Sequence, residues 1–78
     1  MNNSSLLSKK LSRKELGRCI RNIRHERKYT QADLADLVGT SCSHINKIES
    51  GSLDLRLSTL VSICNALNIE VSDVIPKF

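Results

Sequence analysis

Gln31-Ala32-Asp33-Leu34-Ala35-Asp36-Leu37-Val38-Gly39-Thr40-Ser41-Cys42-Ser43-His44-Ile45-Asn46-Lys47-Ile48-Glu49-Ser50-Gly51 is the stretch on which the fold turns. Thr30 just before it, with Asp33 three residues on, reads as a helix N-cap with an acid in the first turn, where the dipole favours negative charge. Leu34, Ala35 and Val38 form the apolar face of a short helix. Gly39 suits the left-handed position that commonly ends a helix, where a residue without Cβ has no steric penalty. Thr40 and Ser41 offer a new N-cap almost at once. A second short helix, Cys42 to Ser50, follows, with Ile45 and Ile48 as its anchors and Gly51 as its stop. Ala35 must be small, because the next helix crosses close to it.

Outward from this stretch the chain stays helical. Towards the N-terminus, Leu16, Cys19, Ile20 and Ile23 recur at spacings of three and four, the stripe of an amphipathic helix over Arg13 to Lys28. Residues 1–12 lack periodicity and are rich in Ser, Asn and Lys, which predicts a flexible arm. Towards the C-terminus, Ser52 to Leu57 alternates polar and apolar residues but has no partner strand, so a loop packed on the core is expected. Leu57, Leu60, Val61, Cys64 and Leu67 mark the buried stripe expected of a fourth helix. Val71 to Ile75 reads as a fifth, short helix ended by Pro76. The expectation is all-α: a compact bundle of five short helices in one domain, 13–78, behind the arm 1–12.

Composition narrows the partners. The chain has 78 residues, no Trp, one Phe and one Tyr, so aliphatic side chains must build the core. At this length roughly 60–65% of the unfolded surface is buried, and the stability margin is thin. The net charge of +4 is unevenly spread. Lys9, Lys10, Arg13, Lys14, Arg18, Arg21, Arg24, Arg27 and Lys28 face only Glu15 and Glu26 over residues 9–28, and everything after Lys28 is net acidic. A basic lobe on a nearly neutral body suits a polyanion, although a merely solvated helix fits the composition about as well. No segment is long and apolar enough to span a bilayer, and Leu6-Leu7 is too short an apolar run for a signal peptide. Cys19, Cys42 and Cys64 are odd in number, contain no CxxC pair and have no zinc spacing to His25 or His44. A reducing, cytoplasmic setting is expected, with no metal and no cofactor.

Two helices joined by a glycine turn, the second short and largely polar, have the geometry of a helix-turn-helix. Gln31-Ala32-Asp33-Leu34-Ala35, Val38-Gly39-Thr40 and Ile45-Asn46-Lys47-Ile48-Glu49-Ser50-Gly51 resemble the Cro/phage-repressor type of this motif, also called Xre-like. The likeness continues through Ser58-Thr59-Leu60, Ala66-Leu67 and Ile69 to Val74, covering about Leu16 to Ile75. It implies a lambda-repressor-like, five-helix domain that binds operator DNA, usually as a homodimer. In that setting the second helix of the motif enters the major groove with its N-terminal residues nearest the bases. Cys42, Ser43, Asn46 and Lys47 are then the base-contacting candidates. Lys47 can donate to guanine, Asn46 can pair with adenine, Ser43 suits either base, and Cys42 can lie near a thymine methyl. The family places a phosphate-binding glutamine at Gln31, where free helix N–H groups also point. Thr40, Ser41, His44, Ser50 and Arg56 are further phosphate candidates, and Arg24 is counted with them. His44 stands open between that role and an idle surface residue. Glu49 sits near a helix C-terminus, where the dipole disfavours it; the resemblance implies Arg24 as its ion-pair partner.

Oxidation of Cys42 would block the groove, but a small residue filling a contact is the reading preferred for it, and Cys19 and Cys64 fall on buried stripes. Neither histidine is paired with a nucleophile, and no glycine-rich phosphate loop exists, so no catalysis is expected. The expected partners are double-stranded DNA and a second copy of the chain. Leu53, Leu55, Val71, Val74, Ile75 and Phe78 supply more apolar surface than one small core absorbs, and are the expected dimer interface. The alternative is a protein-interaction module of the same fold, such as an antitoxin that binds a partner protein. An apolar outward face on the second helix of the motif would favour it; Ser43, Asn46 and Lys47 favour DNA.

Overall fold

A computed structural model describes residues 12–74. Its elements are α1 (Arg13–Glu26), α2 (Gln31–Val38), α3 (Cys42–Ser50), α4 (Leu57–Ala66) and one 3-10 turn, Val71–Asp73. The described residues are thus all-helical, but with four α-helices rather than five: the last expected helix is a single turn. Ile75 and Phe78 lie outside the described residues, as do positions 1–11 of the expected arm. Ser12, expected within the arm, is the N-cap of α1; its hydroxyl accepts from the Glu15 N–H at 3.2 Å.

Each helix end has a local cause. Thr30 and Asp33 cap α2 reciprocally: the Asp33 N–H donates to Thr30 Oγ1 at 3.0 Å and the Thr30 N–H to Asp33 Oδ2 at 2.9 Å. Gly39 ends α2 at φ 84°, and the N–H groups of Gly39 and Thr40 both donate to the Ala35 carbonyl. Ser41 caps α3 through the His44 N–H, and Gly51 ends it at φ 74°. α1 stops two residues earlier than expected, because Lys28 turns left-handed at φ 61° and the Tyr29 N–H reaches back to Arg24 O.

α1 packs on α3, and α2 packs on both α3 and α4. Between them lie Ile20, Leu34, Ala35, Ile45, Ile48, Leu60, Ile63, Cys64, Leu67 and Val74, all buried. Burial, with Asp73 nearby, pushes the Cys64 thiol up, which keeps it a neutral core filler. Two expectations change here. The buried stripe of α4 is Leu60, Ile63 and Cys64, continued by Leu67; Leu57 and Val61 are 71% and 39% exposed. Val74, expected at a dimer seam, is 3% exposed and closes the core, so it is not free to face a partner.

Gly17 explains how α1 approaches α3. A Cβ there would meet the backbone carbonyl oxygens of Ile48 and Glu49, the latter at 2.6 Å. Only glycine lets the two helices come this close, which brings Arg24, two turns further along α1, against α3.

Candidate nucleic-acid interface

On α3, successive residues are turned by about 100°. Ile45, Ile48 and Glu49 occupy the buried arc. Ser43 and Lys47 fall at the centre of the opposite arc and are exposed, with Ser50 beside them. Cys42 and Asn46, also exposed, lie at one margin, and half-buried His44 at the other. The four base-contacting candidates therefore share one exposed, largely polar surface, although two of them border α2.

At the α2 margin a connected network ties the motif together. Glu49, 8% exposed, accepts from Arg24 Nε at 2.6 Å and from Arg24 Nη2 at 3.0 Å. Arg24, 6% exposed, also donates through Nη1 to the Tyr29 carbonyl at 2.8 Å. The hydrogen bond to Glu49 raises the Arg24 pKa against the opposing effect of burial. Gln31 Nε2 donates to the same Glu49 Oε1 at 3.1 Å. Its own Oε1 accepts from Asn46 Nδ2 at 3.5 Å, and the Cys42 thiol lies 4.0 Å away. Gln31 is thereby positioned between the buried ion pair and the margin of α3. At the start of α2 the Asp33 N–H is capped by Thr30 Oγ1 and the Leu34 N–H donates to Thr30 O, while the N–H groups of Gln31 and Ala32 have no acceptor among the described residues.

The phosphate candidates divide between the two flanks of α3. Gln31 and Ser50 line a concavity of about 330 Å³ with Arg21, Arg24, His25, Asn46 and Glu49. Thr40 and His44 line a second, of about 230 Å³, with Val38, Gly39, Ser58, Thr59 and Ser62. Thr40 Oγ1 and His44 Nδ1 are 2.7 Å apart and fix each other. The Ser41 hydroxyl is engaged in capping α3, and Ser50 Oγ donates to Lys47 O at 3.1 Å while sharing a hydrogen bond with Ser52. Arg56, the N-cap residue of α4, is exposed and lines neither concavity. Arg24 does not belong with the phosphate candidates: its guanidinium is buried and spent on Glu49 and Tyr29.

Of the expected interface residues, Leu53, Leu55 and Val71 are half-buried and packed against the core. Arg21 and His25 stand beside α3 without having been expected there from the sequence. Their signal was the stripe Lys14, Arg18, Arg21 and His25 at spacings of four, three and four, which puts four cationic or imidazole side chains on one face of α1. Among the described residues, no group of three or more His, Cys, Asp or Glu is placed to hold a metal ion, and no helix is long and apolar enough to cross a membrane.

Comparison with known proteins finds the same fold and motif. The chain is 40% identical over 60 residues to an immunity repressor protein of Bacillus phage phi105, covering 77% of this chain and 42% of that protein. Its fold matches the crystal structure of the clp gene regulator ClgR of Corynebacterium glutamicum, with a TM-score of 0.79 and 31% identity over 82% of this chain and 83% of the other. It also matches the restriction-modification controller protein C.AhdI of Aeromonas hydrophila, with a TM-score of 0.78 and 26% identity over 80% and 94% of the two chains. The chain spans about half the length of the curated relatives it matches. The HTH_3 family model, described as helix-turn-helix, matches residues 20–74, most of the chain and all of the motif. The chain belongs to the HTH_3 helix-turn-helix family, of the Cro/phage-repressor type.

Proposed function

We propose that this protein is a sequence-specific DNA-binding transcriptional regulator that reads a pseudo-palindromic operator through the major groove as a homodimer. The observation that carries the reading is the two-sidedness of α3. Ile45, Ile48 and Glu49 hold it to the body, while Ser43, Asn46, Lys47 and Cys42 are exposed together on a short helix that fits a groove about 12 Å wide. Polar side chains there favour base edges over an apolar protein partner. Lys47 is the strongest reader, as a charged donor at the centre of the face. Asn46 reads from the α2 margin, beside Gln31. Gln31 and the free N–H groups of α2 meet a phosphate on one flank, and Thr40, Ser41 and His44 meet the other strand. The relatives named as a repressor and as a controller support a role in repression or operon control.

Selection of bound fragments from a random duplex pool tests the reading. The wild type is expected to enrich a sequence with two-fold symmetry. Lys47→Ala is expected to cost about 1–3 kcal/mol on that sequence and to relax preference at one position per half-site. Gln31→Ala is expected to weaken all duplexes alike. An enriched pool with no consensus rejects sequence-specific reading, and an unchanged preference profile for Lys47→Ala removes that residue from the base contacts.

A further inference from the structure

The basic residues of α1 divide into distinct roles. Arg24 is spent on Glu49 and Tyr29. Arg27 donates from Nε to the Leu67 carbonyl at 3.0 Å, which ties the end of α1 to the end of α4. Arg13 lies 3.4 Å from Asp54 on the surface. Arg21 and His25 differ from all three. Both are exposed, and neither has a side-chain hydrogen bond or ion-pair partner among the described residues. They stand one turn apart, the i, i+4 spacing that brings side chains together. Both line the same concavity as Gln31, Asn46 and Ser50.

Glu49 also lines this concavity, and a bare carboxylate there would repel an anion. Its two oxygens are instead covered by Arg24 and Gln31. The ion pair is internally neutral, so the field at the mouth is set by the Arg21 guanidinium. With α3 in a major groove, the phosphates of one strand pass along this flank, beside the free N–H groups of α2.

We propose that Arg21 and His25 form, with Gln31, a clamp on the DNA backbone: Arg21 is the charged donor to a phosphate and the His25 ring N–H a second donor on the same strand. The clamp does the work that the arginine one turn inside it cannot do, because Arg24 is held by Glu49. This inference rests on the DNA reading above, and it adds two contacts that carry affinity and register but no base preference.

The test uses the wild-type chain and its variants against two duplexes of equal length, the sequence enriched by the wild type and a mixed-sequence control. Binding is followed by fluorescence anisotropy from about 50 to about 200 mM salt. Arg21→Ala and Arg21→Gln are each expected to weaken binding about tenfold on both duplexes, a charged hydrogen bond's share. They are also expected to reduce the slope of log K against log salt by about 0.9, the loss of one phosphate contact. Arg21→Lys is expected to keep the slope. His25→Ala is expected to weaken both duplexes about threefold. Arg13→Ala, which removes the same charge away from the concavity, is expected to leave the slope close to wild type. An unchanged slope for Arg21→Ala, an equal drop for Arg13→Ala, or an altered base preference for Arg21→Ala overturns the clamp while the DNA reading stands. Failure of the wild type to bind either duplex overturns both.

Discussion

Glu49 is the residue at which three helices meet. It sits on α3, its pair Arg24 on α1 and its second donor Gln31 on α2. A carboxylate near a helix C-terminus is disfavoured by the dipole, and burial adds a desolvation cost that only close, charged partners offset. That awkwardness made Glu49 stand out in the sequence. The bond to Gln31 could not be read there, because eighteen residues and a turn separate the two. Arg24's raised pKa means that its contribution is complete below the ordinary arginine value and is lost only as pH rises through the raised one. The guanidinium therefore stays charged throughout the pH range in which proteins are studied. Glu49→Ala is expected to destabilise the fold by about 3–5 kcal/mol, since it strands a buried guanidinium. The double variant Arg24→Met/Glu49→Leu is expected to recover most of that loss, because two apolar side chains leave no unpaired charge. Urea unfolding of the wild type and the two variants decides it. A single variant as stable as wild type would mean that the pair contributes geometry and no net stability.

At the scale of elements, two glycines do different work. Gly39 was legible: a glycine between a short apolar stripe and a new N-cap marks a left-handed turn, and its φ of 84° fits that reading. Gly17 was not singled out, although a glycine in mid-helix costs about 1 kcal/mol against alanine and so asks for a reason. The reason is the close approach of α1 to the Ile48 and Glu49 carbonyls, a tertiary fact. Gly39 has open space around it. Gly39→Ala is thus expected to cost only backbone strain, about 1–2 kcal/mol. Gly17→Ala must push α1 off α3; the overpacking costs about 1–3 kcal/mol and also weakens the Arg24–Glu49 contact it supports. The expected order is that Gly17→Ala lowers the thermal midpoint more, against its better helix propensity. A Gly17→Ala protein more stable than wild type would show that the helices separate at no cost. The register of α4 shows a second limit of the sequence. Leu57, Leu60, Val61, Ile63, Cys64, Ala66 and Leu67 crowd one helix with apolar residues, so more than one stripe satisfies the helical period. Contact with α2 and the 3-10 turn selects Leu60, Ile63 and Cys64.

Among the described residues, apolar surface remains that the core does not use. Val74 is consumed in the core, which removes it from the seam expected at the C-terminus. Leu57, 71% exposed, and Val61, 39% exposed, lie one turn apart on α4, next to the loop that carries half-buried Leu53 and Leu55. Water gains nothing from these side chains, and an exposed leucine and valine adjoining a partly buried apolar loop suit an interface with another copy of the chain. One α3 offers few base contacts, and helix-turn-helix dimers place two such helices about 34 Å apart, one turn of DNA. We therefore expect a two-fold dimer through the start of α4 and the preceding loop. Leu57→Asp puts a charge on the seam at a position so exposed that the monomer fold should not feel it. The variant is expected to keep the wild-type circular dichroism spectrum, to sediment as a monomer where the wild type sediments as a dimer, and to lose about 10²-fold in operator affinity, because the second half-site no longer binds as a linked event. Val71→Asp, on the half-buried turn beyond α4, is the comparison: if it breaks the dimer and Leu57→Asp does not, the seam lies at the C-terminal turn instead. A wild type that stays monomeric at high concentration and binds one half-site as tightly as two would remove the dimer altogether.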